Sequence, residues 1–238
     1  MFIRAHEAAV AFPGGTIDRE GLARRLFGGP AKDKRFKALS DINIDLLNGE
    51  RLGIIGRNGA GKSTLIRLLS GILRPSSGTV DIQGNVSSLI DLGVGLEDGL
   101  TGRANVLLIR DLLLLPRSAW QAFEDYVRDF SELGEALDRP VHTYSAGMKL
   151  RLVFSMQTFH VPEIFVIDEV IGVGDASFFA KAQERMVELM RQSAILVMAT
   201  HNFEIMQRFC NRAILMDHGH IVRAGSVDEV KNAYLSTL

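Results

Sequence analysis

The chain has 238 residues, with 27 Lys and Arg against 28 Asp and Glu, a formal net charge of -1. Hydrophobic residues make up 47% and charged residues 23%, which excludes a disordered polar tail and gives no support to an electrostatic nucleic-acid binder. No apolar run approaches the roughly 20 residues of a membrane helix, and the start lacks the pattern of a signal peptide. The single cysteine, Cys210, cannot close an internal disulfide, so the composition predicts a soluble cytoplasmic protein.

Ile3 to Phe12 alternates poorly but suits an edge strand. A Gly- and Pro-containing segment from Pro13 to Lys37 follows, with room for a short helix from Asp18 to Phe27. Ala38 to Leu47 alternates through Ile42, Ile44 and Leu46, predicting a half-buried strand. Asn48-Gly49 then predicts a hairpin leading into Arg51 to Ile55. A helix is expected from Lys62 to Ser70, with strands at Thr79 to Ile82 and Val86 to Ile90. The stretch from Gly95 to Val161 reads as helical, and Trp120, Phe123, Val127 and Phe130 recur at core-facing helical spacing. Strand, helix and strand return at Ile164 to Ile167, Phe178 to Gln192 and Ala194 to Thr200. A helix from Phe203, a hairpin around Asp217-His218-Gly219 and a last helix near Val227 to Leu235 complete the chain. The alternation predicts one α/β domain, with a core of 1–90 and 161–238, a helical subdomain at 91–160 and an insertion at 13–37.

Gly56-Arg57-Asn58-Gly59-Ala60-Gly61-Lys62-Ser63, followed by Thr64, matches the phosphate-loop pattern between an apolar strand and a helix. Glycines there let backbone N–H groups turn toward a phosphate, and the helix start adds partial positive charge. Lys62 is placed to reach the β- and γ-phosphates and Ser63 to ligate Mg²⁺. Glu163 to Glu169 is an apolar strand ending in two carboxylates, and its tip belongs at the ligand edge of a parallel sheet. Asp168 suits the metal, and Glu169 suits a general base for the attacking water. His201 also follows a strand and is placed to contact the γ-phosphate. His218 and His220 flank a turn glycine and are expected to be hairpin residues.

Tyr144-Ser145-Ala146-Gly147-Met148, between the phosphate loop and the carboxylate strand, resembles the LSGGQ signature of ABC ATPases. The parts in order, with Asp175 and His201, extend that resemblance over essentially the whole chain. It implies a P-loop ABC-type ATPase core with an N-terminal antiparallel β part and an inserted α-helical subdomain. It also implies ATP and Mg²⁺ as cofactors and a head-to-tail homodimer. In that dimer Ser145, Ala146 and Gly147 meet the nucleotide held on the partner's Lys62, and Asp175 joins the same site. Leu100-Thr-Gly-Arg-Ala-Asn-Val106 and Asp168-Glu-Val-Ile-Gly-Val-Gly-Asp175 resemble the ATP-binding subunits of bacterial exporters of O-antigen, capsule or teichoic acid. That subfamily resemblance implies a separate transmembrane permease, lipid-linked polysaccharide as indirect partner, and a peripheral place on the cytoplasmic face of the inner membrane, while the near-neutral charge predicts no nucleic-acid partner. The 13–37 insertion is similar to one in O-antigen exporters, and an exposed variable loop is the other reading. Three positions depart from the general family pattern. Met148 replaces the signature Gln, and no lid glutamine is present, leaving Asp91 as the nearby metal candidate. The adenine-stacking aromatic falls on Phe12, with Phe36 as the competing choice. Two other functions compete. One is an ABC ATPase for a small substrate, against which the export-type signature argues. The other is a soluble regulatory ABC ATPase, which usually needs a second ATPase domain or a coiled coil.

Overall fold

The computed structural model describes residues 1–13, 35–89, 95–168 and 176–237. The short helix expected at Asp18 to Phe27 lies outside them, as do Asp91, Glu169 and Asp175. The described chain divides into two units, Met1–Gly84 with Val197–Leu238, and Asn85–Leu196.

In the first unit, β1 (Phe2–Pro13) is not the expected edge strand but the central one, between β2 (Arg35–Leu47) and β4 (Ser77–Gln83) in an antiparallel sheet. Its poor alternation has a local cause. Ile3 and Ala5 are buried, then Ala8 and Val10, so the inward phase flips by one residue in between. Glu7 sits at the flip with a φ of 47°, where both ladders shift register. Its N–H donates to Asn43 Oδ1 at 2.9 Å instead of to a regular ladder partner. A bulge of this kind turns a strand's buried set over to its other side, and here it returns apolar residues to the core.

Asn48-Gly49 forms a turn, with Gly49 at φ 89°, but not the expected hairpin. β3 (Arg51–Gly56) pairs in parallel with β8 (Arg212–Asp217), from Leu52 opposite Arg212 to Gly56 opposite Met216. The burial patterns give the reason. β2 alternates and needs cover on one face, whereas Leu52, Ile54 and Ile55 are all buried, as a strand covered on both faces requires. The turn therefore passes the chain from one sheet to another. Glu50 fixes it by accepting the Leu47 N–H at 2.7 Å and pairing with Arg212 at 3.1 Å.

Helix α1 (Lys62–Leu69) buries Leu65, Ile66, Leu68 and Leu69. β8 returns through the expected hairpin into β9 (His220–Gly225), with Asp217 opposite His220.

In the second unit, β5 (Val86–Leu89) pairs in parallel with β6 (Ile164–Asp168). Around them the chain forms α2 (Gly102–Leu112), α3 (Arg117–Ser131), two 3₁₀ turns (Gly134–Asp138 and Val141–Thr143), α4 (Ala146–Gln157) and α5 (Ala176–Gln192). Phe123 and Val127 of the expected stripe are fully buried, among Val106, Leu137, Val141 and Leu152. Trp120 lies at the margin, its indole N–H donating to Leu115 O at 3.0 Å under the Arg110 guanidinium. β7 (Ile195–Ala199), buried along its length, carries the chain from the second unit to the first. There α6 (Phe203–Phe209) and α7 (Val227–Leu235) follow, capped by Asn202 and by a Ser226–Glu229 capping box.

Candidate nucleotide-binding site

Buried β3 delivers the chain at Gly56, and α1 starts six residues later at Lys62. Gly61 caps that helix in the left-handed region, at φ 101°. An added Cβ would stand 3.1 Å from Ala38 O, so a side chain here is strained by the backbone conformation and crowds that carbonyl. The Ala60 N–H donates to Arg57 O at 3.1 Å, and Lys62 Nζ donates to Gly56 O at 2.7 Å and Arg57 O at 3.1 Å. The ammonium thus lies over the loop's own carbonyls. No side chain caps the start of α1 and no acidic residue stands in its first turn, which suits an anionic ligand there. Arg57, Asn58, Gly59 and Ser63 are exposed and Thr64 is half-buried. A glycine cradle, an ammonium and an exposed hydroxyl form the donor set that a magnesium-bound phosphate chain requires.

The loop is braced by a residue that motif reading missed. Gly219, at the β8–β9 turn, donates its N–H to Ala60 O at 3.0 Å and accepts from the Ser40 N–H at 3.0 Å. An added Cβ at Gly219 would come within 2.5 Å of Ala38 O. Its only sequence signal is a glycine in a turn, which speaks of the hairpin and not of the loop behind it.

Phe12 and Phe36 are directly opposite each other in the β1–β2 ladder, and they are 39% and 67% exposed. Directly opposed residues share one sheet face, so the two candidate aromatics stand side by side.

Asp168 ends β6, half-buried after four fully covered residues. His201 is exposed just past the end of β7. In the second unit, Ser145 caps α4 by accepting the Met148 N–H at 3.2 Å. Ser145 and Ala146 are exposed, and a Cβ on Gly147 would meet nothing closer than Ser145 Oγ at 3.8 Å. The start of α4 is therefore exposed, with its Met148 N–H already taken by the Ser145 cap.

Beneath it Tyr144 is buried and donates its hydroxyl to Ala136 O at 2.6 Å. Burial holds the phenol above its ordinary pKa, so it stays a donor. The Leu100–Val106 motif supplies the packing for that ring. Thr101 caps α2, Gly102 leaves room for the Tyr144 hydroxyl, and Asn105 is fully buried. The Asn105 Oδ1 accepts the Glu97 N–H at 2.7 Å, and its Nδ2 donates to Glu97 O and Thr101 O, each at 3.0 Å. Lys149 reaches Asp98 at 2.6 Å on the same turn. These residues shape the turn on which the signature rests. His218 and His220 occupy the hairpin, and the described residues contain no group of three or more His, Cys, Asp or Glu suited to a metal.

A glycine-rich turn between a buried parallel strand and a helix is the local form of a P-loop nucleotide-binding protein. Residues 39–172 match the ABC transporter family, and the chain belongs to that family as an ABC-type ATPase. It is 42% identical over 197 residues to the O-antigen export system ATP-binding protein RfbB of Myxococcus xanthus, covering 83% of this chain and 45% of that protein. With the RfbB of Klebsiella pneumoniae it shares 37% over 203 residues, 85% of this chain and 82% of the relative. The teichoic acids export ATP-binding protein TagH of Lactococcus lactis is 37% identical over 213 residues, 89% of this chain and 46% of its own length. Among solved structures, an ATP-binding subunit of an ABC transporter superposes with a TM-score of 0.72 at 20% identity, covering 98% of this chain and 93% of that one. An ATP-binding cassette in a dimeric post-hydrolysis state with ADP and Pi gives 0.69 at 16% identity, covering 94% and 98%. Both likenesses concern the fold. Among the described residues no helix is long and apolar enough to cross a membrane.

Proposed function

We propose that the chain is the ATP-hydrolysing subunit of a bacterial exporter of surface polysaccharide, of the O-antigen, capsule or teichoic-acid kind. It works as a homodimer beside a separate transmembrane permease, on the cytoplasmic face of the inner membrane. The observation that carries this reading is the 37% identity over 82% of a Klebsiella O-antigen export ATP-binding protein, joined to an export-type signature with an open helix start at Ser145.

Lys62 and the loop from Gly56 to Thr64 hold the β- and γ-phosphates, with Arg57, Asn58 and Ala60 contributing backbone donors. Ser63 and Asp168 hold the metal, with Asp91 as an added candidate. Bound Mg-ATP supplies the β–γ phosphoanhydride that is broken, and its metal offsets charge on the phosphates. Glu169 takes the proton of the attacking water, while His201 orients that water toward the γ-phosphate. Phe12 stacks on adenine, with Phe36 opposite it in the ladder as the competing choice. Ser145, Ala146 and Gly147 present the start of α4 to the nucleotide on the partner's loop, and Asp175 lines that shared site. Nearly all of this is positioning and charge stabilisation, the usual content of phosphoryl-transfer catalysis.

The test pairs biochemistry with cell physiology. Lys62→Ala is expected to lose ATP binding, and Glu169→Gln to accumulate an ATP-bound dimer by size-exclusion chromatography. Deleting the gene should strip surface polysaccharide and leave lipid-linked polymer inside the cell. Normal turnover by Glu169→Gln, or intact surface polymer in the deletion strain, would refute the assignment.

A further inference from the structure

The two ends of α4 are anchored by different elements. Its first turn rests on the Tyr144 hydroxyl bond to Ala136 O and on the Lys149–Asp98 pair. Its last turn is held by Arg185 of α5, with a longer bond from the Tyr126 hydroxyl to Thr158 O at 3.4 Å. Arg185 Nε and Nη2 donate to Thr158 O at 2.9 and 2.6 Å, and Nη2 also donates to Phe159 O at 3.0 Å. Nη1 is kept in place by Glu188 at 2.7 Å, and the side chain is only 14% exposed. Thr158 is itself fully buried, with its hydroxyl bonded to Phe154 O at 2.7 Å and set 3.3 Å from the Tyr126 hydroxyl.

We propose that Arg185 is a positioning residue for the signature. The proposal rests on the reading of Ser145 and Gly147 as the groups that meet the partner's nucleotide. The carbonyls at a helix C-terminus concentrate partial negative charge, which a guanidinium neutralises. A planar fork bonded to two successive carbonyls also fixes where that turn sits and how it is rotated, which a single ammonium does not do. α4 has 12 residues and is about 18 Å long, so one continuous element links the Arg185 end to Ser145. Loosening the Arg185 end shifts the last turn and, through the helix, the aim of the Ser145 hydroxyl and the backbone donors beside it. Productive geometry at such a site tolerates only ~10–20°. The phosphate loop lies at no point in this linkage, so binding on the loop and turnover respond differently.

The experiment is a double-mutant cycle on the full chain, with a fluorescent ATP analogue for affinity, steady-state ATPase assays for kcat, and thermal unfolding to confirm folding. Arg185→Ala should hold affinity within about twofold and lower kcat roughly tenfold, the effect of about 1.4 kcal/mol on the barrier. Arg185→Lys should recover part of that loss, because it restores charge without the fork. Ser145→Ala should lower kcat, and adding Arg185→Ala to it should lower kcat no further. A double variant whose losses multiply would overturn the proposal while leaving the signature reading intact. Full turnover by Ser145→Ala alone would overturn the signature reading and the role of Arg185 with it. If Arg185→Ala does not fold, Arg185→Lys takes its place in the cycle: losses that fail to multiply support the proposal, and losses that multiply overturn it.

Discussion

Gly102→Ala should destabilise the protein through one identifiable collision. An added Cβ would overlap the Tyr144 hydroxyl and stand 3.2 Å from Leu137 Cα. The hydroxyl cannot give way freely, because Tyr144 is 7% exposed and bonded to Ala136 O at 2.6 Å. Overpacking of this kind costs ~1–3 kcal/mol, and displacing the hydroxyl forfeits a further ~0.5–1.5 kcal/mol of hydrogen bonding. Better helix propensity returns less than ~1 kcal/mol, since Gly102 is the first residue of α2. The net expectation is about 2 kcal/mol, or a melting point lower by about 4–8 °C. Tyr144→Phe alone should cost about 1 kcal/mol, through the lost bond. In the double variant the phenyl ring leaves space for the methyl, so the total should be ~1–1.5 kcal/mol and not the sum of ~3. Urea unfolding followed by circular dichroism reads all four proteins. An unchanged Gly102→Ala midpoint, or costs that add in the double variant, would refute the idea that Gly102 is there to admit the Tyr144 hydroxyl.

Three further outcomes test other parts of the molecule. Gly61→Ala should abolish nucleotide binding, because alanine at φ 101° is strained and its methyl would press on Ala38 O at 3.1 Å; isothermal titration with ATP checks it. Burial pushes the Cys210 thiol up to about 12, so Ellman's reagent at pH 8 should leave it unmodified until urea unfolds the chain. The folded pKa is raised above the thiol's ordinary value of 9.0, so the folded state keeps its proton longer. Its contribution to stability is therefore complete below pH 9 and lost as pH rises toward 12, which unfolding at a series of alkaline pH values measures.

What the sequence discloses depends on how local the cause is. The phosphate loop is legible because eight adjacent residues carry both the turn chemistry and the charge. β6 is legible too, since an apolar run with carboxylates at its end is what a strand covered on both faces must be. The Asn48-Gly49 turn misleads because its local chemistry fits a hairpin, while the partners of β2 and β3 are chosen by burial elsewhere in the chain. β1 resists periodicity because Glu7 shifts its phase, and the hydrogen bond that stabilises the shift is accepted by Asn43, far along the chain. Arg185 and Gly219 act through carbonyls of distant segments, and no pattern along the chain marks a carbonyl as waiting for a partner.

The brace at Gly219 also has a temporal meaning. A ribosome finishes the phosphate motif at Ser63, but the residue that buttresses Ala60 is made 156 positions later, roughly 8–30 s at ordinary synthesis rates. Throughout that interval the nascent chain holds every residue of the motif without the hairpin that keeps the loop in shape. The hydrogen bond from Gly219 to Ala60 O is therefore among the last contacts of the loop to become available, long after the glycines and Lys62 have been made.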